Sequence, residues 1–220
     1  ANYLQETAGN QVRNQQLSVK DLLDQGYAWI LMRQWIRINR LPEAQENLRV
    51  TTYPAGIAKY YLYRDFNVYD AHNELLAFAS SIWLVMDIKR RSMVSIPPFI
   101  SSKFEIPKDI DFYPPPEYKI PKLKEVSQVN QYKAGWLDLD QNAHVNNAYY
   151  YKWVLESLPV DILEQKRLKE IDLFYRAESR LHDEVESQGQ KILEDEFVHR
   201  LWRASDQKEL AQARTLWASS

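Results

Sequence analysis

Two stretches of the chain carry the same alternation of apolar and polar positions. LAFASSIW runs from Leu76 to Trp83 and LAQARTLW from Leu210 to Trp217, with Leu, Ala, Ala and Trp coinciding at an offset of 134 (83 to 217). A polar cluster precedes each, DAHNE at 70–74 and SDQKE at 205–209, as a hairpin turn requires. Before each turn lies another strand-like run, KYYLYRDFNVY from Lys59 and EDEFVHRLWRA from Glu194. The runs AWILMRQWIRI, LRVTTYPA, IDLFYRA and DEVESQGQKIL predict further strands. A repeat at this spacing points to a duplicated domain.

Helical patterning is duplicated too. ANYLQETAGN opens the first half and predicts a helix ending near Gly9. NNAYYYKWVLESLP predicts one in the second half that stops before Pro159, with Tyr149, Trp153 and Glu156 on one face and Tyr150 and Val154 on the next. Each half therefore reads as one helix and an antiparallel sheet, an α+β unit. The Pro-rich stretch at 106–124 is the natural linker between a unit at 1–105 and a unit at 125–220. VNQYKAGWLDLD supplies a strand ahead of the second helix, whereas the first half begins inside its helix. The expectation is a first unit lacking its opening strand, through truncation or an unobserved start.

Composition narrows the classes. Of 220 residues, 45% are hydrophobic and 26% charged, enough for a real core. A net charge of −2 argues against nucleic acid as a partner. The absence of cysteine excludes disulfides, thiolate metal sites and a cysteine nucleophile. No apolar run approaches the roughly 20 residues that span a bilayer. The N-terminus lacks the basic start and apolar middle of a signal peptide. A soluble cytoplasmic protein is expected. Seven tryptophans and fourteen tyrosines could wall an apolar groove.

The densest chemistry lies in DLDQNAHVNNAYYYKWVLE, Asp138 to Glu156, where acids, amides and a histidine run straight into an aromatic helix. It is not a calcium loop, because Ala143 stands where glycine is required and Tyr149 where the bidentate glutamate belongs. Asp138, Asn146 and Asn147 can be read as helix caps. Zinc on Asp140, His144 and a further acid suits the tight spacing poorly, so no metal and no cofactor are expected. His72, His182 and His199 fall in predicted turns or strands without evident partners.

The segment DLDQNAHVNNAYYYKWVLES resembles the D-x-N-x-H-V-N-N run of acyl-ACP thioesterases. YLQETAGNQV is similar to that family's first helix, SSIWLVMDIKRRSMVSIP to the end of its first domain, and FYRAESRLHDEVES to its strand pair with an acidic residue. The resemblance implies a tandem double hotdog, each half a helix wrapped by an antiparallel sheet. It implies hydrolysis of long-chain fatty acyl-ACP, with ACP as acyl donor, the fatty acyl chain as ligand and a homodimer among the assemblies. It places the catalytic set on Asp140, Asn142, His144 and Glu178. Ser179 stands where the family often has cysteine, which favours activation of water by the glutamate.

That chemistry needs a base and donors for an oxyanion. Glu178, beside Phe174, Tyr175 and Ala177, is expected to be desolvated, which would raise its proton affinity. Alternate positions on an extended loop would point Asp140, Asn142 and His144 into one pocket. The N–H groups of Val145 and Asn146 are the expected oxyanion donors at the helix start. Trp29, Trp35, Tyr60 and Tyr149, with Tyr63, are candidates for the acyl groove. Arg33, Arg37, Arg40, Arg176 and Arg180 are candidates for a basic rim facing an acidic carrier. An acyl-CoA thioesterase and a non-catalytic acyl-binding protein are the rival readings; a dehydratase using a histidine and a glutamate is a third.

Overall fold

A computed structural model describes residues 1–110 and 112–219, so Asp111 of the expected linker and Ser220 at the end of the second unit lie outside the described residues. The chain forms two compact units, Ala1–Pro116 and Glu117–Ser220. The boundary falls inside the Pro-rich stretch.

The first unit begins with α1 (Asn2–Asn14) and α2 (Val19–Asp24), followed by β1 (Tyr27–Ile38), β2 (Arg49–Ile57), β3 (Leu62–Tyr69), β4 (Leu75–Asp87), β5 (Ser92–Val94) and α3 (Pro98–Ser101). The strands pair antiparallel in the order β2-β3-β4-β1, with β5 on β4. α1 packs on β2 and α2 on β1. The helix expected to end near Gly9 continues for five more residues. Leu4 and Ala8 bury one stripe and Val12 continues it into the core, so the chain gains by staying helical. It closes at Gln16, whose φ of 53° turns the backbone so that Leu17 N–H reaches Val12 O at 2.8 Å. α2 is held by a capping box between Ser18 and Asp21. Leu17, Leu22, Leu62, Val85, Ile100 and Phe104 form the core, ringed by Trp29 and Trp83.

The second unit runs β6 (Gln128–Lys133), a 3-10 turn at Trp136–Asp138, α4 (Asn147–Leu155), α5 (Val160–Gln165), β7 (Lys166–Tyr175), β8 (Glu184–Leu193), β9 (Glu196–Arg203) and β10 (Lys208–Ser219). Its order is β6-β8-β9-β10-β7, again antiparallel. With β6 set aside, the order matches that of the first unit, strand for strand. The strand expected across 129–140 ends at Lys133, because a 3-10 turn follows. Leu158, Ile162, Phe197 and Trp217 form a core cluster. One detail repeats at the 134-residue offset. Trp83 Nε1 donates to Ser81 Oγ at 2.9 Å, and Trp217 Nε1 to Thr215 Oγ1 at 3.0 Å. Each unit is a hotdog: a helix against an antiparallel sheet.

The Pro-rich stretch does not hang free. Within the first unit, Tyr113 N–H donates to Asp65 Oδ2 at 2.7 Å and its ring stacks on Phe78 at 4.0 Å. Within the second, Arg214 Nη1 donates to the Tyr118 hydroxyl at 2.9 Å. No helix among the described residues is long and apolar enough to cross a membrane.

Candidate active site

The site begins where the 3-10 turn hands over to α4. Asp138 ties that turn, accepting Gly135 N–H at 2.7 Å. Asp140 then folds the next four residues back on themselves. Its Oδ1 accepts the N–H of Asn142 at 2.8 Å and of His144 at 3.2 Å, while its own N–H reaches His144 O at 2.7 Å. Ala143 takes φ 59° to complete the reversal. This corrects the expectation of an extended loop. The alternating polar residues are a tight turn, so Asp140 serves as its backbone staple. Asn142 projects to solvent, and its side chain makes no hydrogen bond among the described residues. His144 alone of the three meets Glu178.

Glu178 arrives from the end of β7. One tyrosine of the aromatic helix and one of β7 tie that strand end to α4. The buried Tyr150 hydroxyl donates to Ala177 O at 3.1 Å, and the hydroxyl of Tyr175, the last residue of β7, donates to Asn147 O at 3.2 Å. Burial pushes both phenols up from their usual range, so each stays a neutral donor. The buried residues of α4 are Tyr150, Tyr151, Trp153 and Val154, so the expected Tyr149–Trp153–Glu156 face is not the one that packs. Arg203 adds a clamp, donating to Glu178 O at 3.1 Å and to Asp183 Oδ2 at 2.9 Å. Burial pushes the Asp183 carboxyl up, but hydrogen bonds from Arg180 N–H, Arg203 and Ser179 outweigh it and hold the group below its usual value.

Three side chains then converge. His144 Nε2 lies 3.2 Å from Glu178 Oε2, Arg180 Nη2 lies 3.0 Å from Glu178 Oε1, and the same Arg180 nitrogen lies 3.3 Å from His144 Nε2. Glu178 is 44% exposed. The expected apolar, desolvated setting is therefore absent: Phe174 carries the Arg176 guanidinium over its ring at 4.4 Å, and the carboxylate faces solvent and a cation. Ser179 is fully buried, and its Oγ donates to Asp183 at 3.1 Å.

The expected oxyanion donors are corrected as well. Val145 N–H is taken by Ser179 O and Asn146 N–H by Asp138 O, both at 2.8 Å. Asn146 is instead the N-cap of α4, its Oδ1 accepting from Ala148 N–H at 3.0 Å. Among the described residues the Asn147 N–H has no acceptor, and it sits at the first position of α4.

Within the first unit, the groove candidates Trp29 and Trp35 lie on opposite faces of the sheet. Trp29 pairs across the sheet with Val85 and packs edge-on against Trp83 and Phe104 in the helix-side core. Trp35 pairs with Ser80, on the other face of the sheet, because a bulge between Leu31 and Arg33 intervenes in β1. Tyr60 lies outside the strands, with Lys59 over its ring, and Tyr149 donates to Leu137 O at 3.1 Å. Of the basic rim, Arg33 is buried, Arg40 binds Glu46 and Asp70, and Arg176 faces Glu209; Arg37 is exposed. His199, expected to lack partners, has two. It is buried between Ser157 Oγ and Thr215 Oγ1, 2.9 Å from each. The signal for it was the repeat itself, since Thr215 and Trp217 occupy the positions of Ser81 and Trp83.

Comparison with known proteins places this geometry in context. The profile for the acyl-ACP thioesterase N-terminal domain matches residues 1–104, and that for the C-terminal domain matches residues 121–219. The chain is 33% identical to an acyl-[acyl-carrier-protein] hydrolase of Cuphea viscosissima, named as chloroplastic, over 98% of this chain and 56% of that protein. It is 30% identical to a chloroplastic palmitoyl-acyl carrier protein thioesterase of Arabidopsis thaliana, over 99% of this chain and 58% of that protein. The chain thus spans somewhat over half the length of the curated relatives it matches. Its fold is that of a 12:0-ACP thioesterase from Umbellularia californica, with TM-score 0.87, 23% identity, and 100% and 88% of the two chains covered. An acyl-ACP thioesterase from Bacteroides thetaiotaomicron superposes with TM-score 0.84 and 22% identity, covering 99% and 87%.

Proposed function

This chain belongs to the acyl-ACP thioesterase family, and from that premise we propose that it hydrolyses long-chain fatty acyl-ACP to free fatty acid and ACP. The observation that carries the reading is the 3.2 Å contact between His144 and Glu178, brought together from a turn and a strand end by a tyrosine-lined helix. In the proposed reaction, Glu178 takes a proton from water as the water oxygen attacks the thioester carbon. The Asn147 N–H, at the positive end of α4, is the first-turn donor open to the developing oxyanion. Collapse of the tetrahedral species breaks the C–S bond, and the leaving thiolate takes up the proton that Glu178 removed. His144 orients the carboxylate, and Asp140 orients His144 through the turn it staples.

Ser179 has no place in this chemistry, because its hydroxyl is buried and spent on Asp183. The test is turnover of one acyl-ACP by two variants, with acyl-CoA alongside. Glu178→Gln keeps the shape and removes the base, so activity should fall by about 10²–10⁴-fold. Ser179→Ala should retain most turnover and lose roughly 1 kcal/mol of stability with its hydrogen bond. An inactive Ser179→Ala that accumulates an acyl-enzyme, beside an active Glu178→Gln, would refute the water mechanism.

A further inference from the structure

The position of Arg180 bears on how the site is opened. A water held by both Glu178 and His144 needs to stand about 2.6–3.2 Å from a carboxylate oxygen and from the imidazole nitrogen. Arg180 Nη2 stands 3.0 Å from Glu178 Oε1 and 3.3 Å from His144 Nε2, so a guanidinium nitrogen occupies the place of that water. The side chain is 59% exposed, and among the described residues its ion pair is with a carboxylate that is itself 44% exposed. Pairs of that kind are weak, and an approaching anion can draw the cation away.

We propose that Arg180 is a gating residue that makes hydrolysis depend on negative charge carried by the acyl donor. This rests on the thioesterase reading above. With no donor bound, the guanidinium closes the water position. A donor bearing anionic groups pairs with Arg180, swings it outward and frees both Glu178 and His144. The anion can be the phosphate of a phosphopantetheine arm or a carboxylate of the carrier surface, and both offer the planar or forked acceptors that guanidinium prefers. The gate would thus discriminate carrier-borne acyl groups from uncharged thioesters.

The experiment measures kcat and KM for one acyl chain on three donors: carrier protein, CoA and neutral N-acetylcysteamine. Wild-type protein should favour the anionic donors in kcat. Arg180→Gln should raise kcat on the neutral thioester by about two- to fivefold, the factor an exposed ion pair can hold closed. It should also shrink the preference for the anionic donors. Arg180→Lys, which keeps a charge on Glu178, should restore part of the discrimination. CoA grouping with the carrier protein would identify the phosphate as the trigger, and CoA grouping with the neutral thioester the carrier's carboxylates. Equal loss of kcat on all three donors in Arg180→Gln would overturn the gate and leave Arg180 as an aid to Glu178. No change on any donor would overturn it too. A wild-type protein inert on every thioester would remove the hydrolase reading and the gate with it.

Discussion

His199 shows what a single buried group does to this protein. Ser157 Oγ donates to Val154 O at 2.7 Å, so it must accept from His199 Nδ1–H. Trp217 Nε1–H donates to Thr215 Oγ1, leaving the Thr215 hydroxyl proton for His199 Nε2. Every proton in the chain Trp217–Thr215–His199–Ser157–Val154 is thereby directed, and the imidazole is held neutral. Burial lowers its pKa to about 3 from the usual 6.5. The unfolded chain takes up a proton below 6.5 while the folded one does not until about 3. Folding stability from this group is therefore complete above 6.5 and is lost as pH falls through that window, by up to about 1.4 kcal/mol per pH unit. His199→Gln lacks the titration. It should be less stable than wild type at neutral pH, having broken two hydrogen bonds, and should lose less stability on acidification. Urea unfolding at several pH values between 4 and 7 reads this directly; parallel slopes for the two proteins would contradict it.

At the scale of elements, Gly9 was misread for a physical reason that can be tested. Glycine ends helices when the chain needs positive φ, but Gly9 sits inside α1 with helical neighbours on both sides, and the reversal is made by Gln16 instead. A Cβ at Gly9 would meet only the Arg13 guanidinium, at 4.0 Å. Gly9→Ala should therefore stabilise the fold by about 0.5–1 kcal/mol, seen as a higher denaturant midpoint with an unchanged slope. A destabilised variant would mean that the space is not free. The long strands and α4 were legible because their patterns run for seven or more residues and their turns are polar. α2, α3, α5 and β5 were not, being three to six residues long and placed by packing and caps such as the Ser18–Asp21 box. At the candidate site the residue types were legible in the sequence, but the backbone geometry was not. His144 and Glu178 do meet, but the alternation of Asp140, Asn142 and His144 suggested an extended loop only because a positive φ at Ala143 leaves no mark on a hydrophobic pattern. The same blindness hid the fate of the Val145 and Asn146 N–H groups, which is decided by long-range pairing with Ser179 O and short-range pairing with Asp138 O.

For the molecule as a whole, the duplication was readable because one strand pattern, ending in a tryptophan that bonds a hydroxyl two residues back, occurs in both units. Charge was less readable, since a count cannot tell which cations are already engaged. The chain carries −2 overall, so an acidic donor protein gains nothing from the net field. Arg33 is buried, and Arg40 and Arg176 are held by acidic neighbours. Any attraction must come from local exposed cations such as Arg37 and from Arg180 once it is released from Glu178. Attraction of that origin is screened over roughly 10 Å at 0.1 M salt. A protein donor spreads its charges over a wide contact, whereas CoA presents them on one compact group, so the protein donor engages more screened pairs. The KM for acyl-ACP should therefore rise with ionic strength more steeply than that for acyl-CoA. Steady-state kinetics on one acyl chain across a salt series checks this. Equal slopes, with faster turnover of acyl-CoA, would assign the chain to CoA thioesters instead.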